Sequence, residues 1–221
     1  MQRLALFDLD GTLLDRDAAF AAWAREFADS WRLGEGALDW LMGEDARHSG
    51  PMGGFFVNAR ERFGLGPSVE ELWGRYRARM PELIGCPPAA LAALAKLREA
   101  GWRTAIVTNG GEDVQLAKIR RTGLAELVDA WCVSEEAGVR KPEPGIFRLA
   151  AERCGAVLDH GGWMVGDRLS ADIAGGQGVG LRTAWLPGRR VQEEAPAGVA
   201  PDVTVASVPE AVRVILTADG N

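Results

Sequence analysis

The sequence predicts an α/β fold: a parallel-sheet core, interrupted after its first strand by an all-helical insert. Three observations predict it. From Pro87 onward, short apolar runs alternate with helix-length segments, and strands separated in this way pair in parallel through right-handed crossovers. Between residues 16 and 85 there is no convincing strand, only aromatic stripes at three- and four-residue steps. The first apolar run, Leu4-Ala5-Leu6-Phe7, stops abruptly at two carboxylates and a glycine, as a buried strand does where it opens onto a site. The expected division is a core of residues 1–15 and 86–221 and a helical domain of residues 16–85.

Each element has its own signal. Phe20, Trp23, Phe27 and Trp31 mark one face of a first helix, and Leu38, Leu41 and Met42 a shorter second one. Gly43 to Gly54, rich in glycine and polar residues, reads as a loop in which Arg47 or His48 is a candidate for substrate contact. Phe55, Phe56, Ala59 and Phe63 mark a third helix. Ser68-Val69-Glu70-Glu71 has capping-box spacing and opens a fourth through Leu72, Tyr76 and Met80. In the core, a helix over Pro88 to Ala100 ends at Gly101, a strand follows at Thr104–Thr108, and a helix at Glu112–Arg121. Ala130–Val133 is a strand, and Pro144 at a first turn starts a helix running to Cys154. Trp163–Val165 is a strand followed by a short helix from about Ala171. Thr183–Trp185 and Val203–Val205 are the last strands, and a helix over Pro209 to Leu216 closes the pattern. Pro187 to Pro201 reads as a surface loop.

With 221 residues the chain is long enough for one good core and a smaller subdomain. A net charge of −6 gives no electrostatic case for nucleic acid or an anionic membrane as partner. No apolar run approaches the roughly 20 residues that span a bilayer. The chain opens directly on its first strand, without a charged-then-apolar leader, and Cys86, Cys132 and Cys154 have neither paired nor metal-type spacing. The expectation is a cytoplasmic protein with reduced thiols, monomeric or homodimeric.

The chemistry gathers at strand ends. The first strand runs into Asp8 and Asp10. The second ends in Thr108-Asn109-Gly110-Gly111, a tight turn into a helix N-terminus where the Thr108 hydroxyl, the Asn109 amide and free backbone N–H groups suit a phosphate. Lys141, one of only three lysines among 25 basic residues, sits between a strand end and a helix start, held by the two prolines of the loop Arg140-Lys141-Pro142-Glu143-Pro144. The fourth strand ends in Gly166-Asp167, with Asp172 at the next helix start, where it either caps that helix or points into the same crevice. Four carboxylates against one lysine would repel an anionic substrate unless a divalent cation filled the site, and all-oxygen ligands favour Mg²⁺. That set suits phosphoryl transfer. Asp8 attacks phosphorus to form an aspartyl-phosphate, and Asp10 protonates the leaving alcohol and then activates water. Lys141 and Mg²⁺ screen charge. Thr108 and the backbone around Asn109 and Gly110 hold phosphoryl oxygens, and Thr12 shapes the turn that places Asp10.

In order, Asp8-Leu9-Asp10-Gly11-Thr12, Thr108-Asn109-Gly110, Lys141-Pro142 and Gly166-Asp167 with Asp172 resemble the four motifs of the haloacid dehalogenase superfamily, and the resemblance covers the whole chain. It implies a Rossmann-like core, Mg²⁺ dependence, an aspartyl-phosphate intermediate and a mobile helical cap over the site. It makes Asp8 nucleophile and metal ligand, and Asp10 acid/base and metal ligand through its backbone carbonyl. Asp167 becomes a metal ligand, and Asp172 either supports the metal or pairs with Lys141. Position 10 favours phosphate esters, since the dehalogenases resemble Asp-x-Tyr and the phosphonate-cleaving members carry Ala there. Cap placement and size look like the phosphoglycolate-phosphatase-type branch. The implied substrate is a small phosphorylated metabolite of sugar, glycolate or nucleotide type. Two alternatives stay open: a sugar phosphomutase of the same superfamily, and a non-hydrolytic phospho-aspartate signalling or binding protein. The insert holds nine Arg, no Lys and eleven acids, so it is no obvious cradle for a second phosphate.

Overall fold

The computed structural model describes residues 2–48, 52–188 and 196–218. β1 (Leu4–Phe7) is followed by four helices, α1 (Arg16–Trp31), α2 (Ala37–Arg47), α3 (Met52–Phe63) and α4 (Val69–Leu83). Next come α5 (Pro88–Glu99), β2 (Arg103–Thr108), α6 (Glu112–Arg121), β3 (Ala130–Val133), the single turn α7 (Ser134–Ala137) and α8 (Pro144–Arg153). β4 (Trp163–Gly166), α9 (Ala174–Gly178), β5 (Arg182–Trp185), β6 (Val203–Thr204) and α10 (Val208–Ala218) complete the order. The chain divides into two compact units, one holding the sheet and its helices, the other Arg16–Ile84.

The sheet unit is a Rossmann-like α/β fold. Its six strands run in the order β3-β2-β1-β4-β5-β6, every pair parallel. β1 lies at the centre with all four of its residues buried, which explains why it reads as an unbroken apolar run rather than an alternation. Leu4 and Leu6 face the same cluster as Val107, Met164 and the Ile146, Phe147 and Ala150 face of α8. Removing one such aliphatic side chain costs about 2–5 kcal/mol. β1 leads to β2 on one side and has β4 on its other. Connections therefore diverge between β1 and β4, and the crevice outside their carboxyl ends is where open α/β sheets bind ligands. The Asp15 N–H donates to the Gly85 carbonyl at 3.2 Å, so the chain leaves and re-enters the sheet unit at adjacent points.

The helical unit is built on its aromatic stripes. Trp23 stacks on Phe27 at 4.8 Å and meets Phe55, Phe56 and Tyr76 edge-on at 6.0, 5.7 and 4.9 Å. Such pairs each add about 0.5–1.5 kcal/mol beyond their buried area. The capping box at Ser68 forms: Ser68 Oγ accepts the Glu71 N–H, and the Glu71 carboxylate accepts the Ser68 N–H.

The loop expected over Gly43 to Gly54 is a correction. Residues 43–47 continue α2 and residues 52–54 begin α3, while Ser49, Gly50 and Pro51 lie outside the described residues. Composition misleads here because Asp45 is buried, its carboxylate bound at both oxygens by the Arg16 guanidinium at 2.6 and 2.7 Å. That pair holds a polar segment helical. Arg47 bonds Glu44, and the His48 ring lies against Gly54. The helix expected from Ala171 is preceded by a π-helical turn, Leu169–Ile173, and α7 carried no sequence signal. Of the loop expected over residues 187–201, residues 189–195 lie outside the described residues.

Candidate active site

Asp8 follows β1 directly and extends its ladder, donating its N–H to the Val165 carbonyl of β4 at 2.9 Å. This carries its carboxylate out of the sheet at the divergence between the two strands. Oδ1 accepts from Lys141 Nζ at 2.5 Å and Oδ2 from the Thr12 hydroxyl at 3.2 Å. Burial pushes the Asp8 carboxyl up to about 6; Lys141 opposes this and Asp172 adds to it. The turn back is tight. Gly11 N–H donates to the Leu14 carbonyl, and Gly11 has φ +94° with the Asp167 carboxylate 2.6 Å from where a Cβ would stand. Only glycine fits that conformation and that space.

Lys141 is almost fully buried between two carboxylates, Asp8 and Asp172, the latter at 2.6 Å. Burial disfavours its charge, but attraction to Asp172 and Asp8 outweighs this and holds the ammonium charged. Its backbone is bracketed by Asn109, which accepts the Lys141 N–H at 2.9 Å and donates to the Lys141 carbonyl at 3.0 Å. The Asn109 amide, expected to face a phosphate, thus has both its oxygen and its nitrogen engaged by the Lys141 backbone. The Gly110 N–H donates to Ser134 Oγ at 3.0 Å. Thr108 is buried, its hydroxyl accepting from Gln115 Nε2 at 2.6 Å.

Asp172 is fully buried; its Oδ2 accepts the Arg168 N–H at 3.0 Å, closing the loop that Asp167 opens. Of its two sequence readings, the crevice is the one found. Asp167 is held at its backbone by the Trp185 indole, which donates to the Asp167 carbonyl at 2.9 Å. Its Oδ1 is buried with no hydrogen-bond partner. Burial, then repulsion from Asp8 and Asp172, raises the Asp167 carboxyl well above the usual carboxylate range. One oxygen from each of Asp8, Asp167 and Asp172 lies within 4.8 Å of the others. A buried carboxylate oxygen without a hydrogen-bond partner, among like charges and in an all-oxygen donor set, fits a hard divalent ion. Asp172 thus belongs to the acidic cluster itself.

Asp10 turns the other way. Its two oxygens lie 2.8 and 2.6 Å from Lys118 Nζ, and Oδ2 also accepts from Gln115 Nε2 at 3.0 Å. Sequence reasoning missed both partners. The signal available was that Lys118 is one of three lysines and that Gln115, three residues before it on α6, shares its helix face. All three cysteines are free thiols, and burial pushes those of Cys86 and Cys132 up to about 11, away from nucleophilic use.

Comparison with known proteins agrees with this geometry. The family model for haloacid dehalogenase-like hydrolases matches residues 2–180. The chain is similar to pyrimidine 5′-nucleotidase YjjG of Escherichia coli, 36% identical over 71% of this chain and 68% of that one. It is also similar to phosphoserine phosphatase of Thermus thermophilus, 32% identical over 89% and 79%. Among solved structures, a HAD phosphatase of Thermococcus onnurineus superposes with a TM-score of 0.66 at 27% identity, covering 97% of each chain. A carboxylate-lined crevice at the divergence of a 3-2-1-4-5-6 sheet and a family match over most of the chain lead to one conclusion: the chain belongs to the haloacid dehalogenase-like hydrolases, as a phosphoric monoester hydrolase.

Proposed function

We propose that the chain is a Mg²⁺-dependent phosphatase that hydrolyses a small phosphate monoester through an aspartyl-phosphate on Asp8. The observation that carries this reading is the buried Asp8 carboxylate, fixed by Lys141 and Thr12, beside an Asp167 oxygen that has no partner. Asp8 and Asp167, supported by Asp172 and the Asp10 backbone carbonyl, would hold the cation. When bound, Mg²⁺ supplies fixed positive charge opposite the transferring phosphoryl oxygens.

In the first half-reaction an Asp8 carboxylate oxygen bonds to phosphorus while the bond from phosphorus to the ester oxygen breaks, and Asp10 gives its proton to the leaving alcohol. In the second, Asp10 takes a proton from water as its oxygen attacks phosphorus. Phosphate leaves and the Asp8 carboxylate is restored. Lys141 faces the phosphoryl oxygens with its buried ammonium, and Thr108 with the adjacent backbone completes their cradle. Residues 16–85 are the helical cap domain that sets specificity, and residues 1–15 and 86–221 form the catalytic core.

The relatives named above act on a nucleotide and on an amino-acid phosphate, so the substrate is assigned only as a small phosphorylated metabolite of sugar, glycolate or nucleotide type. No described helix is long and apolar enough to cross a membrane. We place the enzyme in the cytoplasm, monomeric or homodimeric, where its free thiols stay reduced.

The test is phosphate release from a panel of phosphate monoesters, an aryl phosphate included, with Mg²⁺ and with chelator. Release that requires Mg²⁺ and no bisphosphate activator establishes hydrolysis over phosphomutase transfer. A folded, Mg²⁺-loaded protein that releases nothing from any ester overturns the reading.

A further inference from the structure

We propose that Lys118 and Gln115 are positioning residues that form a clamp on the Asp10 carboxylate, separating it from Asp8 and aiming it at the leaving-group oxygen. The inference rests on the reading of Asp10 as the acid/base and goes beyond it, to what makes Asp10 fit for that work.

Asp8 and Asp10 stand two residues apart at the end of one strand. Left alone, two like charges so close would share the nearest cation or turn away at random. The structure gives each its own lysine from a different element. Lys141 reaches Asp8 from the loop before α8, and Lys118 reaches Asp10 from the last turn of α6. Lys118 contacts both Asp10 oxygens, at 2.6 and 2.8 Å, which fixes the plane of the carboxylate and not merely its distance.

Gln115 adds a third donor to Asp10 Oδ2 at 3.0 Å. The same Nε2 donates to the Thr108 hydroxyl at 2.6 Å, so one amide ties the acid/base group to the phosphate cradle. The arrangement is costly enough to need a reason. Three basic residues end α6, and Arg120 and Arg121 stay exposed while Lys118 is buried. Taking an ammonium out of water for a partner that solvent could satisfy gains little stability. Holding a reacting carboxylate within a few tenths of an ångström gains rate.

The clamp is tested with the full-length, Mg²⁺-loaded enzyme on two probes: 4-nitrophenyl phosphate, whose leaving group needs little protonation, and an alkyl phosphate turned over by the wild type, whose leaving group needs a proton. Lys118→Met keeps the bulk of the side chain and removes its donors. Its kcat/KM, which reports only the steps up to the aspartyl-phosphate, is expected to fall about 100-fold on the alkyl ester and less than about 5-fold on the aryl ester. The kcat falls on both esters, because hydrolysis of the intermediate uses the same Asp10. Gln115→Leu is expected to show the same asymmetry, smaller in size, and carries the test if Lys118→Met does not fold. Asp10→Asn is measured alongside. If Asp10→Asn loses kcat/KM selectively on the alkyl ester while both clamp variants lose kcat/KM equally on the two esters, or lose none, the clamp is overturned and the acid/base role of Asp10 stands. If Asp10→Asn turns over the alkyl ester at the wild-type rate, the acid/base reading falls and the clamp falls with it.

Discussion

Asn109 holds Lys141 by both sides of its backbone: Oδ1 accepts the Lys141 N–H at 2.9 Å and Nδ2 donates to the Lys141 carbonyl at 3.0 Å. A residue at the end of β2 thereby fixes a loop 32 positions later, across a peptide, Lys141–Pro142, that is cis. Asn109→Ala is expected to lower kcat on the order of 10- to 100-fold through misplacement of the Lys141 ammonium. The loss of two hydrogen bonds should also reduce stability by about 1–3 kcal/mol. Thermal unfolding and steady-state kinetics check both. Unchanged kcat in a destabilised variant would show that Lys141 keeps its place without the bracket.

Asp8→Asn preserves shape and removes the nucleophile. Turnover should drop below about one-thousandth of wild type while the protein stays folded, since the lost charge is one that burial already disfavours. A variant with even a tenth of the wild-type rate would take the nucleophile's role away from Asp8.

Lys141→Ala leaves Asp8 and Asp172 buried face to face with no cation between them. The expected loss is about 100-fold or more in kcat, with about 3–5 kcal/mol of stability from the broken buried pairs. The two effects separate experimentally. Added Mg²⁺ should recover part of the thermal stability, and kcat measured below the unfolding transition should remain low.

Mg²⁺ itself should stabilise the wild type, by about 2.7 kcal/mol at a hundredfold excess over Kd, or roughly 5–10 °C in Tm for a chain of this size. Asp167→Asn should move two quantities in opposite directions. Metal-free Tm rises, because a carboxylate crowded by Asp8 and Asp172 is neutralised, and the Mg²⁺-induced shift largely disappears. Differential scanning fluorimetry with Mg²⁺ and with chelator reads both. An unaltered Mg²⁺ shift in Asp167→Asn would place the cation elsewhere.

The parallel core was legible because its central strands are buried on both faces, so continuous apolar runs such as Leu4–Phe7 and Ala105–Val107 stand out, and because β1, β2 and β4 run into Asp8, Asn109 and Asp167. Asp8, Lys141, Asp167 and Asp172 come together as their loops foretold. What stayed hidden is side-chain pairing across elements. Nothing local announces that Asn109 faces the Lys141 backbone, or that Lys118 buries itself against a carboxylate 108 positions earlier. Gly43 to Gly54 was misread for the same reason. Its polar composition says loop, whereas residues 43–47 continue α2, and the Arg16–Asp45 pair that holds them spans 29 positions and two helices. Sequence periodicity reports what a residue hides from water and is blind to which partner it hides with.

The adjacency of Asp15 and Gly85 has a kinetic side. β1 cannot pair with β2 until Leu4 finds Arg103, about a hundred residues further along the chain, and a parallel pair so remote is slow to close. The four helices between Asp15 and Gly85 gather on one aromatic cluster around Trp23, whose contacts span less chain than the β1–β2 pairing does, and so can condense first. Once condensed, they bring both ends of the excursion to one place, and the long search contracts to that of a short hairpin. The inserted unit would then be a folding clasp for the sheet. A circular permutant opened inside it should refold more slowly than the parent, with little change in the final fold.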